Sequence, residues 1–240
     1  MAPVLDVREL SVGYGGVDAL HQVSLRVERD ETVGVLGANG AGKTTLVNAL
    51  AGVLGASAGR VAFDGEDVTS LTPERRARKG LSLVRQGRSV FHHMTVQENL
   101  DMGAYLVREA AQVRTRLEAV FAMFPVLAER RRQLAGAMSG GEQKMLEIAR
   151  SLMLPLKLLM LDEPSLGLAP RMLEAIFEKI PALNRAGTAV LLVEQNALAA
   201  LAVSTRAYVM ELGRIRREDR SERLVNDAEV RARYLGVGPS

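Results

Sequence analysis

Apolar positions in the first third of the chain come in short alternating sets. Val4, Leu5, Val7 and Leu10, then Ala19 and Leu20, then Val23, Leu25 and Val27 alternate with polar residues, and Gly13, Gly15-Gly16 and Arg29-Asp30 punctuate them. The alternation predicts short antiparallel strands with one buried face. Thr32–Leu36 is a compact apolar strand running into a glycine-rich loop, and Lys43–Ala51 reads as a helix stopped near Gly52. Arg60–Phe63 predicts a strand ended by an Asp64-Gly65 turn. Thr72 and Pro73 then mark a helix start, with Thr72 as the cap and Pro73 at the first helical position.

After a buried strand at Leu81–Val84 the pattern changes. From about Thr95 to Leu134 the periodicity is helical and strongly charged, which predicts an α-helical insertion between two strands of the core. The core pattern returns with strands at Lys157–Leu161, Thr188–Val193 and Arg206–Glu211. Helices at Glu142–Leu152 and Pro170–Arg185 precede the first two. Short apolar strands alternating with helices predict an α/β fold with a mainly parallel sheet. The tail after Gly213 is charged and predicts helix near Asp227–Tyr234.

Composition narrows the chemistry. The 240 residues suit one large domain or a domain with an embedded subdomain. With no cysteine, thiolate metal sites, disulfides and a cysteine nucleophile are excluded. The net charge is +3, but the basic residues fall in small clusters. Arg75, Arg76, Arg78 and Lys79 share one predicted helix, and Arg130–Arg132 follow Glu129. Both read as solvated surface, and no basic stripe with interleaved aromatics points to nucleic acid. The start of the chain carries no basic region followed by an apolar stretch, so no secretory signal is expected. The apolar runs Ala189–Val193 and Ala197–Val203 fall well short of the roughly 18 residues that span a bilayer.

Two stretches look built to hold phosphate. At Met138–Gln143, Ser139 and Glu142 have the spacing of a capping box ahead of the periodic run Met145, Leu146, Ile148, Ala149 and Leu152. Gly140 and Gly141 leave the first-turn amides open to an anion. Upstream, Gly37-Ala38-Asn39-Gly40-Ala41-Gly42-Lys43-Thr44-Thr45 matches G-x-x-x-x-G-K-[ST] between a buried strand and a helix. There Lys43 is expected to reach the β- and γ-phosphates and the Thr44 hydroxyl to ligate Mg²⁺. Asp162 and Glu163 end the buried strand before Pro164. In open α/β sheets that is the ligand end, with Asp162 placed to hold Mg²⁺ and Glu163 to polarise the attacking water. One nucleotide cannot easily use both phosphate cradles of the same monomer.

The order of these stretches, phosphate loop, MSGGEQ, then LMLDEP, resembles the ATPase subunit of an ABC transporter across essentially the whole chain. The resemblance implies a P-loop NTPase fold, RecA-like, with an N-terminal antiparallel β subdomain and an α-helical insertion. Residues 1–240 then form a single domain: 1–94 as antiparallel β and phosphate-loop core, 95–150 as the helical subdomain, and 151–240 as the remainder. It also implies that two ATP molecules are sandwiched in a head-to-tail dimer, so that Ser139, Gly140, Gly141, Glu142 and Gln143 serve the partner's nucleotide. Tyr14 matches an aromatic that stacks on adenine, Gln86 a glutamine that senses Mg²⁺ and the γ-phosphate, and Ser165–Leu168 a loop where the subunits meet. The family usually has a histidine after the strand at Thr188–Val193, where this chain has Gln195. Gln195 can donate a hydrogen bond to the γ-phosphate but cannot take a proton, which leaves Glu163 as the base.

Leu192-Val-Glu-Gln-Asn196, Glu163–Pro170, Gln86–Phe91, Met94–Leu100 and Arg233–Gly236 together resemble the LivF-type ATPases of branched-chain amino acid importers. Such subunits pair with a second ABC ATPase and two integral-membrane permeases on the cytoplasmic face of the bacterial inner membrane, and a periplasmic binding protein delivers the substrate. The surface from Val90 to Met94 is expected to form a groove that receives a cytoplasmic helix of the permease, with burial in the subdomain core as the alternative reading. The rival readings are an importer ATPase for urea or short amides and a non-transport ABC ATPase. A binding-only regulatory cassette is a third, disfavoured by the presence of Lys43, Asp162 and Glu163.

Overall fold

The computed structural model describes residues 2–87 and 89–235. Arg88 and Gly236, which belong to two of the stretches named above, lie outside the described residues. Strands β1 (Leu5–Tyr14) and β2 (Val17–Val27) are followed by β3 (Thr32–Leu36), α1 (Lys43–Leu50), β4 (Ala58–Phe63), β5 (Glu66–Asp67), α2 (Pro73–Arg78) and β6 (Leu81–Val84). Helices α3 (Val96–Gly103), α4 (Ala110–Met123) and α5 (Pro125–Glu129) and a 3₁₀ turn at Ala135–Ala137 lead to α6 (Gly140–Leu152). The chain continues through β7 (Leu158–Asp162), α7 (Pro170–Phe177), α8 (Ile180–Arg185), β8 (Ala189–Glu194), α9 (Ala197–Val203), β9 (Arg206–Glu211) and β10 (Arg214–Arg220). Short helices α10 (Ser221–Leu224) and α11 (Ala228–Val230) follow, and α11 leads into a π-helical turn at Arg231–Leu235.

The chain folds as two compact units. The first gathers Met1–Leu83, Lys157–Glu163 and Ile180–Ser240. It holds an antiparallel sheet in the order β2-β1-β4-β5 and a six-stranded sheet in the order β10-β9-β3-β8-β7-β6. Within the second sheet β9, β3, β8 and β7 are mutually parallel. Every residue of β3, β7 and β8 is buried, as the uninterrupted apolar runs require of strands covered on both faces. Leu10, Leu25 and Phe63 from the antiparallel sheet, Val35 and Leu191 from the parallel strands, and Leu46 and Leu50 from α1 share one core.

The second unit comprises Val84–Leu156 and Pro164–Lys179 and is helical. Thr95 and Glu98 close a capping box on α3, and Leu100, Leu127 and Leu146 from α3, α5 and α6 are fully buried. Among the described residues no helix is long and apolar enough to cross a membrane.

Four expectations change. Gly13 is no turn: it lies inside β1 opposite Asp18, and the hairpin turns at Gly15-Gly16 instead. The single helix expected over Pro170–Arg185 is two, because Pro181 has no N–H for the Phe177 carbonyl and its ring clashes there. The charged stretch Arg214–Arg220 is an antiparallel edge strand against β9, and its half-buried Ile215 packs on the core. Arg76 is not solvated surface but 2% exposed. Its guanidinium donates to the carbonyls of Ala49 and Leu50, at 2.9 and 2.7 Å, and to those of Leu71 and Thr69, at 3.1 and 2.8 Å. It thereby supplies the donors that the C-terminus of α1 lacks within its own helix.

Candidate functional site

The site of the first unit forms where the parallel strands end. Asp162 of β7 stands opposite Val193 of β8, and Leu36 of β3 opposite Glu194. The loop after β3, the two carboxylates after β7 and Gln195 after β8 therefore leave the same edge of three adjacent strands. That edge is where open α/β sheets bind ligands.

The loop after β3 exposes Ala38, Asn39 and Gly40 and returns to bury Ala41 and Lys43. Gly42, the residue before α1, has φ of 103° and caps the helix with no side-chain hydrogen bond. A Cβ on Gly42 would meet the side chains of Leu20 and Met210 at 3.0 Å. Only glycine fits both the dihedral and the space. The first-turn amides of α1 thus have no side-chain acceptor, and the positive end of the helix is open to an anion.

Lys43 is held rather than free. Its Nζ donates to the carbonyls of Gly37 at 2.8 Å and Ala38 at 3.1 Å and lies 3.1 Å from Glu163 Oε1. One turn position on, Thr44 Oγ1 donates to Asp162 Oδ1 at 3.3 Å. Glu163 has φ of 44°, an uncommon region for a side-chain-bearing residue, and its N–H donates to the Val193 carbonyl at 2.9 Å. This bend just after β7 accompanies the contact of the carboxylate with the lysine. Lys43, Thr44, Asp162 and Glu163 therefore meet as one cluster of one cation, one hydroxyl and two carboxylates.

Tyr14 ends β1, 52% exposed as a residue, with its hydroxyl 3.5 Å from Thr45 Oγ1. An accessible aromatic face thus lies beside the first turn of α1. Gln195 is exposed directly after Glu194, which is fully buried. Sequence reasoning missed Glu194, a third carboxylate at the same edge. The signal was there, since Glu194 ends an apolar strand just as Asp162 does.

The second unit carries the other residues. Ser139 caps α6 by accepting from the Glu142 N–H at 3.4 Å, while the Ser139 N–H donates to Glu142 Oε2 at 2.9 Å. Glu142 also lies 3.3 Å from Arg130. Ser139 is exposed, but Gly141 and Gln143 point inward. A Cβ on Gly141 would sit 2.7 Å from the Met172 side chain of α7, so this glycine permits helix packing. The Gln143 amide donates to the carbonyls of Ala135 and Met138, at 3.0 and 3.3 Å. Gln86 is exposed in the loop after β6. Of the surface expected at Val90–Met94, Val90 is buried, whereas Phe91 is 42% exposed beneath the Arg150 guanidinium at 4.9 Å. Leu166, in the expected subunit-contact loop, is 57% exposed.

Comparison with known proteins identifies the family. Residues 20–166 match the ABC transporter family. The chain is 46% identical to the high-affinity branched-chain amino acid transport ATP-binding protein BraG of Pseudomonas aeruginosa, over 97% of this chain and 100% of that protein. It is 34% identical to the probable branched-chain amino acid transport ATP-binding protein LivF of Archaeoglobus fulgidus, over 95% and 97% of the two chains. A crystal structure of the ATP-binding cassette of an ABC transporter in its ADP conformation superposes with a TM-score of 0.88. It is 28% identical, and the match covers 99% of this chain and 100% of that one.

Proposed function

Since this chain belongs to the ATP-binding subunits of ABC transporters, we propose that it powers the import of branched-chain amino acids. The observation that carries the reading is the meeting of Lys43, Thr44, Asp162 and Glu163 at the strand edge. The likeness to BraG over the full length of both chains supports the substrate class.

ATP enters over the loop Gly37–Thr45, with its phosphates against the open amides of α1 and its adenine on the ring of Tyr14. The phosphate oxygens take Lys43 from Glu163. The lysine stays anchored by the Gly37 and Ala38 carbonyls, and Glu163 is left as a carboxylate beside the γ-phosphate, where it orients the attacking water. Gln195 donates a hydrogen bond to the γ-phosphate. The hydroxyl of Thr44 and the carboxylate of Asp162, 3.3 Å apart, are a pair of hard oxygen donors of the kind Mg²⁺ takes together with water and phosphate. A Mg²⁺ ion held by these two residues would supply positive charge that offsets the charge of the phosphates. Gln86, exposed in the loop after β6, would sense Mg²⁺ and the γ-phosphate. Ser139, Gly140, Gly141, Glu142 and Gln143 belong to the partner's nucleotide, with Ser139 in contact and Gly141 and Gln143 holding its helix.

Residues 1–240 act as one domain with the helical stretch 95–150 inserted. The subunit works at the cytoplasmic face of the inner membrane with a second ABC ATPase and two permeases, and a periplasmic binding protein supplies the amino acid. The test is co-purification with those permeases, reconstitution in liposomes, and ATP hydrolysis with binding protein and candidate substrates. Stimulation by leucine, isoleucine or valine supports the reading. Stimulation by urea or short amides alone, or failure to associate with any permease, overturns it.

A further inference from the structure

Helix α6 carries a buried ion pair that phosphoryl transfer leaves without a task. Lys144 Nζ lies 2.6 Å from Glu147 Oε2, and the two side chains keep 5% and 1% of their exposure. Neither charge is spent on the other alone. Lys144 also donates to the carbonyls of Arg85 at 3.1 Å and Gly87 at 2.7 Å, so its three ammonium protons are all used. The second carboxylate oxygen of Glu147 accepts from the Ser89 N–H. One turn further along α6, Arg150 donates to Ser89 Oγ at 3.1 Å. These side-chain partners outside the pair, Arg85, Gly87 and Ser89, lie in the loop that carries Gln86, and the two lysine contacts fall on the residues either side of it.

Stability alone does not account for this arrangement. A buried ion pair costs desolvation that its attraction only just offsets, and apolar residues of similar volume commonly do as well or better. What apolar residues cannot do is hold two carbonyls at one point. The Arg85 and Gly87 carbonyl dipoles converge on a single cation, an arrangement that is repulsive without it. Residues 85–87 have no strand or helix of their own to fix their dihedrals. At its far end the loop is pinned again by Asn99, fully buried, which accepts from the Phe91 N–H at 2.8 Å and donates to the Phe91 carbonyl at 3.0 Å.

We propose that Lys144 and Glu147 are positioning residues for Gln86, fixing the loop backbone on both sides of it from the helix that begins at Ser139. The proposal rests on the assignment of Gln86 to Mg²⁺ and the γ-phosphate. The pair touches no reacting atom, and its effect reaches the reaction only through the direction it gives the glutamine.

The experiment uses the full chain and compares Lys144→Met/Glu147→Leu, Lys144→Gln/Glu147→Gln, Gln86→Ala and the triple variant that joins the first to Gln86→Ala. The apolar pair is expected to fold, since the exposed Arg85, Gly87 and Ser89 backbone can turn to water, and to bind ATP without Mg²⁺ as the wild type does. Its hydrolysis falls roughly ten- to a hundredfold, as for other small misplacements of a reacting group, and its half-saturating Mg²⁺ rises. The glutamine pair, which keeps hydrogen-bond donors and an acceptor, recovers most of the rate. In the Gln86→Ala chain the apolar pair adds almost nothing. Wild-type rate and Mg²⁺ dependence in the apolar pair beside a defective Gln86→Ala overturn the proposal alone, and so does an equal proportional loss in the triple variant. An unaffected Gln86→Ala overturns the assignment of Gln86 and the proposal with it. Where the apolar pair does not fold, Lys144→Gln is read by the same rates and by hydrogen exchange at the Ser89 amide. Unchanged Mg²⁺ dependence together with unchanged Ser89 protection then counts against the proposal.

Discussion

Lys43 Nζ and Glu163 Oε1 lie 3.1 Å apart with both side chains almost wholly buried, so the cation proposed to bind phosphate and the carboxylate proposed to orient water neutralise each other. The contact joins the start of α1 to the end of β7, more than a hundred residues apart in sequence. In the proposed reaction the incoming phosphates would exchange these partners: the lysine would trade a carboxylate for phosphate oxygens, and the carboxylate would be released to a water. The uncommon backbone of Glu163, at φ of 44°, accompanies this closeness. Strain of that kind, of order 1–3 kcal/mol, persists where the surrounding structure holds it.

Replacing Glu163 with Gln separates the two roles. The amide keeps the shape but neither attracts Lys43 as an ion nor acts as a base. ATP affinity is expected to equal or exceed that of the wild type, since no carboxylate competes with the phosphates. Turnover falls by roughly 10²–10⁴, the usual contribution of a general base. Equilibrium binding of ATP and release of inorganic phosphate check the two halves, and near-normal release sinks the assignment.

Asp162→Asn removes a charge from the Thr44–Asp162 oxygen pair while keeping its size. A neutral amide oxygen is a weaker ligand for a hard cation than a carboxylate. The expected outcome is a rise of about tenfold or more in the Mg²⁺ needed for half-maximal hydrolysis, which is the loss of one charged ligand at roughly 1.4 kcal/mol per factor of ten. ATP binding without metal stays close to wild type. A Mg²⁺ titration of hydrolysis that overlays the wild type would exclude Asp162 as a metal ligand.

Arg76→Met tests a residue whose work is structural. It leaves the carbonyls of Ala49, Leu50, Leu71 and Thr69 without their buried donor. Burial already pushes the Arg76 guanidinium below its ordinary pKa, so the cation is costly, and these carbonyls are what hold it. Stranding several of them is expected to cost about 2–4 kcal/mol, at 1–3 kcal/mol for each unsatisfied group less what water recovers. Urea unfolding reads the loss, and a midpoint within error of the wild type would show that the α1 terminus finds other donors.

The parts of the molecule that were legible in the sequence are those where local pattern and tertiary role agree. Strands β3, β7 and β8 are continuous apolar runs because they are covered on both faces, and the phosphate loop announces itself by its place between one of them and a helix. The Ser139–Glu142 box is local by nature and is found as spaced. What stayed hidden depends on partners remote in sequence. Arg76, Lys144 and Glu147 sit on charged or amphipathic helices, where periodicity assigns a charged side chain to solvent, yet each is 4% exposed or less because it serves backbone groups of another segment. Strand β10 went unseen because an edge strand tolerates charge on both faces, and Ile215 alone marks its inner side. The contact of Glu163 with Lys43 likewise needs the sheet to be assembled first.

Ser139→Arg tests whether the second phosphate cradle belongs to a partner's nucleotide. Among the described residues the Ser139 hydroxyl caps α6, accepting from the Glu142 N–H, and the loss of such a cap costs about 1 kcal/mol. ATP binding by the isolated subunit is therefore expected to stay nearly intact. An arginine at an exposed helix start places bulk where a facing γ-phosphate must approach closely, so nucleotide-driven association and hydrolysis are expected to stop together. Binding of labelled ATP at subunit concentrations too low for association, set against sedimentation and hydrolysis at high concentration, distinguishes the cases. Equal loss of ATP binding at the low concentration would show that Ser139 serves the nucleotide of its own chain.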